Sequence, residues 1–207
     1  MTTFMRLFAI SSVAFSLGAC STIDTATRNA PLEVPSFQSV APSFDVTELR
    51  VVVPRELRVS EANVYYPLAD IVWRGEAIGD RHVQVRDLMG EAFQRGTAQL
   101  EGVQPVMVDI NVTRFHSLTE KARYTVGGVH SIKFELTVRD AATGDVIVPT
   151  RLINADLAAL GGRSAIEADR AGETQKKRIS DHLAFLIQQE LTRPLVPSGQ
   201  PVEQADI

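Results

Sequence analysis

PVMVDINVTRF (residues 105–115), VHSIKFELTVR (129–139) and VIVPTRLINA (146–155), with the turn DAATGD at 140–145, form the stretch that decides the fold. Val106, Val108, Ile110 and Val112 alternate with Met107, Asp109, Asn111 and Thr113. Ile132, Phe134, Leu136 and Val138 alternate with Lys133, Glu135, Thr137 and Arg139. A period of two puts one set on a buried face and the other in water, as in a half-buried antiparallel sheet. In the turn, Gly144 supplies the positive φ that a tight hairpin needs. Pro149 removes a ladder donor, which predicts an edge or a bulge in the third strand. The three strands read as an antiparallel meander.

Upstream of this meander the period changes. Val85, Leu88, Met89, Ala92, Phe93, Gly96 and Leu100 share one face of a helix that starts after Asp80 and is closed by Gly102. Val46–Val53 is rich in β-branched residues and stops at Pro54, which predicts a first strand. Ala69–Trp73 is a shorter candidate. Downstream, 116–128 and 158–170 read as loops, the second carrying Gly161-Gly162. A second helix is expected from Ala171 to Thr192, with Ile179, Leu183, Leu186, Ile187 and Leu191 on its apolar face. The fold class is therefore α/β of the α+β type. It is a two-layer sandwich, with a mainly antiparallel sheet and two amphipathic helices on one face.

This places a single domain at 46–194. Residues 195–207 read as a tail, and 20–45, with three prolines and many Ser/Thr, as an extended tether. Phe37 and Phe44 are the apolar exceptions in that tether and are expected to dock on the domain.

The 207 residues carry a formal charge of −4 and no long basic run, which argues against nucleic acid as a partner and against a polybasic membrane patch. One cysteine, Cys20, permits no intramolecular disulfide. Arg6, the apolar stretch 7–17 and the small pair Gly18-Ala19 have the layout of a secretion signal over residues 1–19, cut between Ala19 and Cys20.

Leu17-Gly18-Ala19-Cys20 resembles the lipobox of bacterial lipoproteins. The resemblance implies a diacylglyceryl (palmitate-type) anchor on the Cys20 thiol, acylation of the new amine and the lipid bilayer as a partner. Two or more chains anchor stably where one binds marginally. Ser21, where Asp would signal inner-membrane retention, implies export to the outer membrane with the domain facing the periplasm. The lipobox, the strand 49–53, the helix 81–100 and the hairpin turn 140–145 together resemble small Gram-negative envelope lipoproteins of unknown function. Among these are the auxiliary lipoproteins of ABC-type lipid transport and the periplasmic domain of the curli-secretion lipoprotein. That resemblance implies a non-enzymatic binding or adaptor subunit with an envelope protein as partner.

Chemistry-bearing residues are sparse. His82, His116, His130 and His182 are scattered, although His116, His130 and Glu120 could meet at a hairpin end as metal ligands. Solvated loop histidines are the simpler reading. Tyr65, Tyr66 and Trp73 form the most aromatic stretch and are candidates for a binding surface or for packing over a helix. Arg170, Lys176, Lys177 and Arg178 oppose the dipole at the start of the second helix and could contact a partner or anionic lipid. No catalytic, cofactor-binding or metal-binding residue is assigned, because the sequence holds no nucleophile elbow, zincin, P-loop or CxxC motif. Three functions remain: an adaptor using the polar sheet face or an edge strand, a carrier of lipid or another apolar ligand, and an enzyme.

Overall fold

The computed structural model describes residues 41–195. The expected signal, Cys20, most of the expected tether (Phe37 included) and the expected tail from 196 lie outside the described residues. Ten elements follow in order: β1 (Phe44–Val52), β2 (Ile71–Val72), α1 (Arg81–Thr97), β3 (Gln104–His116), α2 (Glu120–Arg123), β4 (Gly128–Asp140), β5 (Val146–Asn154), β6 (Leu157–Ala159), α3 (Gly162–Arg170) and α4 (Gln175–Thr192). The sheet runs β1-β3-β4-β5; β2 adds to the far end of β3 and β6 to the start of β4. The β3–β4–β5 meander is antiparallel, while β1 and β2 lie parallel to β3. The fold is an α+β sandwich with an open, mixed sheet.

Side-chain alternation behaves as expected along β3 and β4 with two exceptions: Thr137, expected in water, is buried against Thr150 with their Oγ1 atoms 2.7 Å apart, and β3 has a break. A bulge between Val112 and Arg114 adds a residue and shifts the parity, so Phe115 turns into the core. There its ring meets the edge of Trp73, with centroids 5.6 Å apart. β5 is an edge strand and also carries register shifts, which satisfies both demands of Pro149.

α1 and α4 cover the apolar face. Asp80 caps α1 by accepting from the N–H groups of His82 and Val83, and Thr174 caps α4 by accepting from Lys177 N–H. Phe93 of α1 packs on Phe134 of β4 at 5.2 Å between ring centroids. The two helices cross at Gly96, where a Cβ would stand 2.1 Å from the Ala184 carbonyl oxygen.

Several boundaries differ from the sequence reading. β1 starts at Phe44, two residues before the expected strand and within the stretch read as tether. Phe44 is buried in the core, and its carbonyl accepts from Gly102 N–H at 3.0 Å. Gly102 is accordingly no helix stop. It lets the chain pass Ser43, whose carbonyl carbon would lie 2.2 Å from an added Cβ, and α1 ends earlier, at Thr97. The 116–128 loop contains α2 and buries Ser117, Thr119 and Ala122. The 158–170 loop is β6 and α3. Only Ala165 of α3 is buried, so it offers little apolar periodicity to read. Gly172, at φ +81°, separates α3 from α4, so α4 begins at Gln175 rather than 171. Two further helices thus accompany the two expected ones.

Candidate functional site

The loops gather at the end of the sheet where β3 finishes. Residues 53–70, 73–80 and 116–127 meet there with the starts of α1 and α4. The centre of the assembly is Arg81, the first residue of α1, which is 3% exposed. Its guanidinium grips Glu61 in a bidentate pair, Nε to Oε1 at 2.6 Å and Nη2 to Oε2 at 3.0 Å. Its remaining donor reaches Gln84 Oε1 at 2.6 Å and the Ala77 carbonyl at 3.1 Å. The hydrogen bond from Arg81 holds the Glu61 carboxyl below its ordinary pKa, against the opposing cost of burial. Arg74 joins the network by bonding Glu120 and by reaching Glu61 at 3.4 Å. Lys176 of α4 pairs with Glu76. Four segments distant in sequence are tied by these pairs.

This framework displays an apolar crest. Val64, Tyr65, Tyr66 and Leu68 are exposed, Tyr66 at 85% and Leu68 at 91%. Such side chains on a free loop would collapse or wander, but this loop is pinned from beneath. Thr119 Oγ1 donates to the Val64 carbonyl at 2.8 Å, and Lys121 N–H donates to Asn63 Oδ1 at 2.8 Å. His116 Nε2 bonds the Pro67 carbonyl at 3.0 Å. The Lys121 ammonium sits 4.7 Å above the Tyr65 ring. Pro67 and Ala69 are buried on either side of Leu68, so the chain alternates inward and outward across the crest.

The aromatic stretch of the sequence therefore divides. Trp73 is wholly buried, whereas Tyr65 and Tyr66 are on the surface. Asn63, Val64, Leu68, Glu61 and Arg81 escaped the sequence reading. Only the run NVYYPL (63–68), apolar but interrupted by proline and without helical or strand period, carried a signal.

The histidines do not converge into one site. His82 bonds the Leu57 carbonyl at 3.0 Å, His116 serves the crest, and Glu120 is engaged with Arg74. His130 is 2% exposed, and its Nδ1 accepts from Leu118 N–H at 3.4 Å. Burial first, then the charges of Arg178 and Arg123, push its pKa from 6.5 down to about 3. His182 is packed on α4 with its Nε2 buried and unpartnered. Among the described residues, no three His, Cys, Asp or Glu side chains are placed to hold a metal ion. His130, Gln175, Arg123 and Arg178 border a cavity of about 10 Å³, space for nothing larger than a single water.

Of the basic cluster, Arg170 lies in the last turn of α3, not on α4. Lys177 pairs with Glu173 and Asp181, and Arg178 donates to the Ala158 carbonyl. The uncovered sheet face is charged and internally paired: Arg139 with Asp109 at 2.9 Å, Arg50 with Asp109 at 3.6 Å, and Asn111 with Glu135 at 3.0 Å.

A model of a protein family of unknown function, DUF6778, matches residues 44–206. The chain belongs to DUF6778. The DUF6778 match starts at Phe44, the residue at which β1 starts. None of the curated proteins matches this DUF6778 chain. Among solved structures, it is similar to a Caulobacter crescentus CB15 protein described as a "putative lipoprotein". Identity there is 16%, coverage 51% of this chain and 79% of that one, and the TM-score 0.32. It is also similar to a DUF330 protein from Xanthomonas campestris, at 14% identity, coverage of 76% and 86%, and a TM-score of 0.39.

Proposed function

We propose that this DUF6778 protein is a lipid-anchored, non-enzymatic adaptor of a bacterial envelope transport or assembly system. In this reading it is held at the outer membrane through Cys20 and docks a periplasmic protein on the Val64–Leu68 crest. The observation that carries the reading is the crest itself: exposed tyrosine and leucine side chains on a loop held by hydrogen bonds from Thr119, Lys121 and His116 to Val64, Asn63 and Pro67. Preorganised aromatic and aliphatic side chains bind without the cost of ordering a loop, and tyrosine is enriched at protein interfaces.

The geometry supports the direction of display. The chain enters the domain at Phe44, which pairs with Gln104 at the start of β3, while Pro67 is bonded to His116 at its end. At roughly 3.3 Å per residue, those ends stand about 40 Å apart. A domain tethered at residue 44 offers the crest at its far end. The space between helices and sheet, where an apolar ligand would have to sit, is filled by Phe93, Phe134, Leu136, Ile179 and Leu183, which favours the adaptor over a carrier.

Photoreactive residues at positions 66 and 68, crosslinked in intact envelopes, are expected to give one common protein adduct. The same probe at Phe185, 58% exposed on α4, should not give it. Identical adducts from all three positions, or none from the crest, would overturn the assignment. The anchor is tested separately: Cys20→Ser is expected to abolish palmitate labelling and release the protein from membranes, and continued labelling would refute it.

A further inference from the structure

A second surface lies along the open edge of the sheet. Among the described residues β1 pairs with no strand but β3, and on its other side Asp45 bridges to Glu101, so the stretch Val46–Val52 is an open edge there. Above that edge runs an open groove of about 430 Å³, between Leu49 and Val51 of β1 and Arg86, Gly90, Glu91 and Gln94 of α1.

Gly90 is the telling residue. A glycine inside a helix costs stability relative to alanine. At Gly96 the structure gives the reason, because α4 leaves no room for a Cβ. At Gly90 a Cβ would meet nothing within 4 Å. Packing among the described residues does not account for glycine there; close approach by a second body does.

The charges on the edge name that second body. Glu48 and Arg50, both exposed, stand two residues apart on the uncovered face, where within one chain they pair with each other at 2.9 Å. Charges on an edge strand ordinarily block pairing with another strand. In antiparallel self-pairing, a register centred on residue 48 or on residue 50 sets like charges against each other. Centred on Leu49, the same strand sets Glu48 opposite Arg50 of the second copy, and Arg50 opposite its Glu48. Directly opposed charges of opposite sign stabilise a sheet and like charges destabilise it. The two-fold axis that passes through Leu49 also brings the second α1 toward the groove over Gly90, as an isologous dimer requires.

We propose that the protein forms a two-fold dimer through antiparallel pairing of β1 with β1 of a second copy, centred on Leu49, with Gly90 admitting the second chain. The inference is independent of the crest, which lies at another part of the domain.

Disulfide trapping tests it. In the full chain with Cys20→Ser, purified in detergent, Leu49→Cys is expected to form a covalent dimer on mild oxidation. Opposed residues of a narrow antiparallel pair lie within disulfide reach. Val52→Cys, three residues off the axis, should trap at least tenfold less. Adding Glu48→Arg or Arg50→Glu to Leu49→Cys should each cut trapping about tenfold, and mixing the two charge variants should restore it, because their edges then complement one another. Gly90→Leu should reduce trapping to a similar extent while leaving the circular dichroism unchanged. Equal trapping at 49 and 52, or charge variants that trap like their parent, would overturn the proposal.

Discussion

Gly96→Ala is expected to destabilise the domain by about 3 kcal/mol, near the top of the range for overpacked cores. In a helix interior this substitution normally gains up to about 1 kcal/mol, through backbone entropy and better solvation. Here the new Cβ meets the Ala184 carbonyl oxygen at 2.1 Å and Ile187 Cγ2 at 2.5 Å. Backbone cannot swing aside as a flexible side chain can. α1 and α4 must move apart, which loosens Phe93 and Ile187 over the sheet. Gly90→Ala on the same helix has open space around its Cβ and should show the ordinary gain of about 1 kcal/mol in dilute protein. Urea unfolding of the two variants decides the matter. A Gly96→Ala protein as stable as the parent would show that the helices do not cross this closely.

Acid is expected to weaken the fold through His130. The imidazole is neutral when buried, with a pKa of about 3 against an ordinary 6.5. Above pH 6.5 it is neutral in both folded and unfolded chains, so no penalty exists. As pH falls from 6.5 toward 3, the unfolded chain takes up a proton that the folded one refuses, and stability is lost over that window. Between pH 7 and pH 5 the loss amounts to about 2 kcal/mol. The depressed pKa of Glu61 acts in the same direction, but only below its ordinary value near 4.5. The interval from pH 7 to 5 therefore isolates the histidine. His130→Gln should lower stability at pH 7, since the glutamine must still satisfy Leu118 N–H, yet flatten the dependence down to pH 5. An undiminished slope in that variant would assign the acid sensitivity elsewhere.

Where a residue's position follows from local periodicity, the sequence was sufficient. Val106 to Val112 and Ile132 to Val138 alternate because each strand faces the core on one side and water on the other, and both strands fall where that pattern puts them. Phe115 does not, because a bulge is a property of the strand pair and leaves no mark on one strand's alternation. Gly102 looked like a helix stop because proximity to Ser43, 59 residues upstream, cannot be read along the chain. The parallel placement of β1 against β3 had no signature in either strand. The candidate site was half legible. Tyr65, Tyr66 and Trp73 read alike as aromatics, yet Trp73, directly after β2, is buried in the interior. Arg81 is an unremarked first residue of a helix until Glu61, 20 positions earlier, folds onto it. Long-range ion pairs of this kind make the loop end rigid and are invisible to any window of local sequence.

The parallel register of β1 on β3 has a mechanical consequence. A pull at Phe44 against a load on the crest draws β1 lengthwise along its neighbour, from Phe44–Gln104 to Val52–Asn111. Force in that direction strains all the rungs of the ladder together. Force applied across the strands would open them one after another. Pulling a single molecule between residues 44 and 66 should thus meet a higher rupture force than pulling across the free edge of β5. In the proposed adaptor, this geometry carries tension from residue 44 to the crest without the sheet being peeled from the end where β1 starts.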